Sequence, residues 1–229
     1  MRTDIQQETC GMKRRSMLAS LAALGLSACA GGPVKAGADQ QVRSVAILSL
    51  LGEEPPYASV GITVFNNSNK PIKTEGKLAE AIESTIRARL QAARPQWQVR
   101  PVADTSAIRA ALQDKPALRL KQQTDIGRIE SLLPDLAARS EVDAVFVVAA
   151  LGMDFIGDAG VGVVSRHQRE AQLMAATRLA LVSRAGVELA GGDGYFNEAL
   201  KKVPPGGLPE SMVLAVNAAV QQAAQKAGY

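Results

Sequence analysis

Two apolar runs a hundred residues apart set what this chain can become. "VRSVAILSLL" (42–51) and "VDAVFVVAAL" (142–151) are nearly continuous in valine, isoleucine, leucine, alanine and phenylalanine. A strand with one wet face alternates apolar and polar residues, whereas a strand covered on both faces does not. Both runs therefore belong inside a sheet with a layer on each side. "KLAEAIESTIRARLQAA" (77–93) supplies one covering element, because Leu78, Ile82, Ile86 and Leu90 recur every four residues. That spacing draws one stripe along a helix and leaves Lys77, Glu80, Glu83, Arg87 and the following Arg94 mainly to solvent. Pro95 stops it.

The other segments follow the same logic. "TSAIRAALQ" (105–113) reads as a short helix with Asp104 as its cap, and "TDIGRIESLLPDLAARS" (124–140) as a helix in two parts, broken near Pro134. "ITVFNN" (62–67) and "QWQVRPV" (96–102) read as strands. Pro55-Pro56 argues against regular structure in "GEEPPYASVG", so residues 52–76 read largely as a polar insertion. In the last third, "VGVVSRHQ" (161–168), "MAATRLALVSRAG" (174–186) and "VELAGG" (187–192) read as strands joined by short turns, with Arg184-Ala185-Gly186 at a hairpin. "NEALKKVPPGG" reads as a polar connector, and residues 208–227 as a helix with Pro209 in its first turn. Met212, Val213, Val216 and Val220 form its buried face.

The expected fold is α/β: a layered mixed sheet with parallel core strands, a C-terminal antiparallel hairpin and packed helices. Residues 42–229 are expected to form a single periplasmic α/β domain, long enough to bury roughly 70% of its extended surface. With 3% aromatic residues, that core is built from aliphatic side chains.

A different signal precedes the domain. From Met12, Lys13, Arg14 and Arg15 are followed by an uncharged, mostly apolar stretch from Ser16 to Ala28. A basic region before a short apolar one is the layout of a secretory signal, and the stretch falls short of the about 20 residues that span a bilayer. Leu26-Ser27-Ala28-Cys29 resembles the lipobox of bacterial lipoproteins. The resemblance implies cleavage before Cys29 and acylation of its thiol. Ala30 in place of an aspartate implies sorting to the outer membrane. Translation from Met1 and from Met12 both fit. Residues 1–28 are thus expected to be a lipoprotein signal peptide, and 29–41 the acylated cysteine with a flexible tether.

Losing residues 1–28 removes four of the 26 basic and two of the 22 acidic side chains, which lowers the formal charge from +4 to +2. A near-neutral chain gives no electrostatic case for nucleic acid. Cys10 lies in the removed part and Cys29 carries the lipid, so no thiol is left for a disulfide.

The order of elements resembles the small periplasmic α/β module of the amino-terminal domain of TolB and of CsgG-type and penicillin-binding-protein-activator lipoproteins. Val45–Leu50, Val142–Ala149 and Leu179–Ala190 correspond to its strands. Residues 52–74 depart from it, because the family passes quickly there from strand to helix. The match is one of order, so it transfers no binding residue.

Catalytic sets are sparse. His167 is the single histidine and sits in "SRHQRE" with no HExxH-type partner, whereas zinc needs three or four ligands. Ser165 and Ser183 lie outside any G-x-S-x-G turn. Glu53-Glu54 and the pair Asp154 and Asp158 bring carboxylates near one another in sequence only. "GDAGVG" (157–162) lacks the glycine spacing and the lysine of nucleotide loops. No cofactor or metal is expected.

These features point to a non-catalytic accessory or assembly protein on the periplasmic face of the outer membrane. Acylated Cys29 would hold it in the lipid, and its partner would be an envelope protein or a peptidoglycan-associated one. Two alternatives stay open: an envelope hydrolase using His167, and an oligomeric secretion- or pore-associated component. A barrel hairpin from 161–182 fits poorly, since its arms barely reach eight residues where a membrane strand needs about 9–11. For the partner surface the candidates are Tyr57, Asn66, Asn67 and Lys70, joined by Asp154 and Asp158. Both segments follow an apolar strand. If those strands are parallel neighbours, the two loops leave the same carboxyl-terminal edge, where open α/β sheets bind ligands.

Overall fold

An eight-stranded mixed sheet, with helices on both faces, carries the fold. A computed structural model describes residues 37–61, 67–113, 125–152, 156, 159–166, 170–201 and 207–229. The strands are β1 (Ser44–Ser49), β2 (Pro56–Val60), β3 (Ser68–Pro71), β4 (Gln98–Arg100), β5 (Ala144–Ala150), β6 (Val161–Arg166), β7 (Gln172–Ser183) and β8 (Glu188–Ala199). The sheet order is β3-β2-β6-β7-β5-β1-β4, with β8 on the other side of β7.

β7 and β8 form a hairpin of two twelve-residue strands. Gly186 takes φ +79° in its turn, a conformation that favours glycine. Two strands lie end to end along the other edge of β7. β5 pairs with Thr177–Ser183 and β6 with Gln172–Ala175, both antiparallel. Only Ala176 separates the two ladders. Its C=O accepts from Leu151 N–H at 3.0 Å and its N–H donates to the Gly160 C=O at 2.8 Å. The next row repeats the break: β1 runs parallel to β5, and β2 runs parallel to β6. β4 closes the first row in parallel and β3 the second antiparallel. Two half-sheets therefore share one hairpin.

The helices are α1 (Lys77–Ala93), α2 (Ser106–Gln113), α3 (Asp125–Ile129), α4 (Leu133–Arg139) and α5 (Gly207–Lys226). α1 and α5 cover one face, where Leu78, Ile82, Ile86 and Leu90 pack with Phe146, Leu179 and Leu181. α2, α3 and α4 cover the other face over β1 and β5, around Ile108, Ile129, Leu133 and Val147. A 3₁₀ turn at Glu130–Leu132 makes the expected break just before Pro134. α5 lies close against β8: a Cβ on Gly194 would fall on the Ala219 carbonyl oxygen, and one on Gly192 on that of Ala223.

The insertion departs from expectation. Residues 56–60 form β2 in spite of Pro56, which takes the first position of the strand, where a missing N–H is tolerated. Residues 68–71 add β3, so the insertion extends the sheet. Of the strand expected at 62–67, residues 62–66 lie outside those described, and Asn67 is not in a strand. β8 continues to Ala199, beyond the run expected to end at Gly192. Residues 37–41, read as the end of the tether, form a turn with Asp39 buried.

Candidate functional site

The two strand interruptions meet. β1 and β5 are parallel neighbours, so the chain leaves them side by side, at Leu50 and Leu151. Glycine sets how close they come. Gly160 has φ +65°, and a Cβ on it would lie 2.8 Å from Leu51 Cδ2. A Cβ on Gly162 would lie 2.9 Å from the Pro56 carbonyl oxygen and 3.0 Å from Ile156 Cγ2. A third segment is tied in from the approach to α1. The Ile72 N–H donates to the Pro55 C=O at 2.9 Å, and the buried Thr74 hydroxyl donates to the Glu53 C=O at 2.8 Å. Glu53, Glu54 and Gly152 are exposed at the rim of this junction.

The exits do not lie at an outer sheet edge, as the parallel pairing alone implies. β2 and β6 carry both rows onward, so the junction sits in the middle of the sheet. The outer boundary beyond it is β3, whose four residues are all exposed. A short polar strand containing lysine and proline is how natural sheets end without inviting a further strand.

The structure brings three of the expected contact residues together on the β2–β3 pair. Tyr57 is half-buried, packs on the core beneath α1 and α5, and stands opposite Lys70 in register. Lys70 is exposed. The Asn67 side chain accepts from the Gly61 N–H at 3.0 Å through Oδ1, closing the span between β2 and β3. Asn66, Asp154, Asp158, His167 and Cys29 lie outside the described residues. Among the described residues, no group of three or more histidines, cysteines or carboxylates is placed to hold a metal ion. No described helix is long and apolar enough to cross a membrane.

Sequence reasoning missed a second cluster, at the opposite end of the sheet. Trp97, Phe146 and Tyr229 meet ring to ring, with Phe146 and Tyr229 edge-on at 5.1 Å and Trp97 5.7 Å from Tyr229. Arg94 lies over both Trp97 and Tyr229, 5.9 and 5.4 Å from their centroids. It was expected to face solvent, but its guanidinium pairs with the buried Asp39. Arginine and aromatics far apart in sequence carry no local pattern that would reveal this.

No family model matches the chain, and no curated protein matches it. Several solved structures overlap with it in part. Lipoprotein GNA1162 from Neisseria meningitidis aligns at 16% identity over 75% of this chain and 92% of its own, with a TM-score of 0.36. The hypothetical protein CT253 from Chlamydia trachomatis aligns at 11% identity over 71% of this chain and 75% of its own, with a TM-score of 0.33. Scores of this size establish no shared fold.

Proposed function

We propose that this chain is a lipid-anchored accessory protein of the bacterial envelope, held by Cys29 on the periplasmic face of the outer membrane and binding another envelope component without catalysing a reaction. One observation carries the reading: Leu26-Ser27-Ala28-Cys29 directly follows a basic and then an apolar stretch. The order-of-elements resemblance to TolB and CsgG-type modules supports an envelope role. The contact surface in this reading is the β2–β3 pair, with Asn67 and Lys70 exposed on it and the strand junction beside it. Its polar, outward side chains suit a contact made and released, since permanent interfaces are the more hydrophobic ones.

Photo-crosslinking probes at Asn67 and Lys70, with a control at Arg184, test the surface in cells. Arg184 lies past the far end of β7, eleven residues along from Leu173, which is in register with Lys70 across β2 and β6. That separation is roughly 36 Å at about 3.3 Å per residue. Crosslinks to an envelope protein from Asn67 and Lys70 are expected, and crosslinks from Arg184 alone would refute the placement. Replacement of His167 by alanine is expected to leave complementation of a deletion strain intact. Loss of complementation by a stable variant would favour the hydrolase alternative.

A further inference from the structure

The start of the described chain is bound to the domain more firmly than a tether needs. Gly37 takes φ +88° and opens a turn in which Gln40 N–H donates to the Gly37 C=O at 3.2 Å and Val42 N–H to the Asp39 C=O at 3.0 Å. Asp39 is 7% exposed. Its Oδ2 accepts from Nε–H of Arg94 at 2.9 Å and lies 2.9 Å from Nη2 in the same ion pair. Arg94 is itself held, since its Nη1 donates to the Ala93 C=O at 2.9 Å and its guanidinium lies over Trp97 and Tyr229. A buried carboxylate is costly unless a charge meets it in good geometry. Here that charge comes from the C-terminal end of α1, far along the chain. The pair therefore joins the segment nearest the tether to the aromatic cluster.

We infer that Asp39 and Arg94 form a latch that fastens the root of the tether to the domain and so sets how far the domain can stand from its membrane. This rests on acylation at Cys29. With the latch closed, eight residue steps separate Cys29 from Gly37, a span of roughly 28 Å at full extension. With it open, the chain runs free only to Val42, which is 3% exposed and packed in the main core. Thirteen steps then give a reach of roughly 46 Å. The closed latch confines partners to those at the surface of the anchoring membrane, and opening it extends the reach without any change in the fold.

Trp97, the single tryptophan, stands beside the latch and reports on it. The test uses lipidated protein in vesicles of phosphatidylethanolamine and phosphatidylglycerol carrying dansyl headgroups. It compares wild type with Asp39→Asn by energy transfer from Trp97 and by amide exchange. In wild type, the Gln40 and Val42 amides are expected to exchange slowly. In Asp39→Asn they exchange roughly tenfold faster or more, as local opening requires, while β5 amides are unchanged and transfer to the headgroups falls. Fast exchange at Gln40 and Val42 in wild type overturns the latch whatever the variant does. So does a folded Asp39→Asn with unaltered exchange and transfer. If wild type fails to float with the vesicles, the anchor reading fails, and the exchange comparison alone decides the latch.

Discussion

Single residues show where this fold holds stability and where it gives some up. Thr177 is fully buried in β7, and its hydroxyl has no hydrogen-bond partner among the described residues. An unmet buried hydroxyl is a cost, so Thr177→Val should raise stability by about 1 kcal/mol. A higher urea midpoint at unchanged slope would show it, and a drop would mean the hydroxyl has a partner. Asp143 does the opposite. Its Oδ2 accepts from Arg43 N–H, Ser44 N–H and Ser44 Oγ–H at 2.8, 2.9 and 3.0 Å, joining the starts of β1 and β5. Burial pushes its carboxyl upward, but these hydrogen bonds together with the Arg100 charge outweigh that and hold it below the usual range. A depressed folded pKa means stability that is present above the unfolded value of about 3.9 and lost as pH falls through the folded one. Asp143→Asn should therefore cost about 1.5–3 kcal/mol near neutral pH and flatten the acid limb of the stability profile. An unchanged acid limb would show that the carboxylate is not the titrating link.

At the scale of elements, the sequence was most readable where large aliphatic side chains repeat. All four stripe residues of α1 are buried as their spacing implies. α5 was only partly legible: Met212, Val216 and Val220 are buried, while Val213 is half-buried and Ala215, Ala219 and Ala223 share the covered face. Alanine gives a weak periodic signal, yet here it lets the helix lie against Gly192 and Gly194 of β8. Gly194→Ala should cost about 1–3 kcal/mol, the usual penalty of overpacking, read as a lowered urea midpoint. A neutral outcome would mean that α5 can lift off β8 freely. β2 was missed because two prolines outweighed "YASV", although a strand tolerates proline at its first position. The Gly160 turn is a comparable case. A left-handed φ and contact with Leu51 together predict that Gly160→Val loses about 1–3 kcal/mol of stability.

For the whole molecule, what could not be read was collinearity. The two apolar runs announced parallel core strands, and β1 and β5 are such a pair. That each continues past an interruption into β2 and β6 depends on pairing with β7, more than a hundred residues from β1. No local pattern encodes that register. The candidate site inherits the same limit. Asn67 and Lys70 were legible as exposed polar residues, but their place on the boundary strand pair beside the junction was not. The proposed function rests on a part of the chain outside this architecture, the segment ending at Cys29. Labelling cells with alkyne palmitate and then fractionating membranes tests it most directly. The account predicts a labelled, membrane-bound wild type and an unlabelled Cys29→Ala variant. A wild type as unlabelled as Cys29→Ala would contradict it.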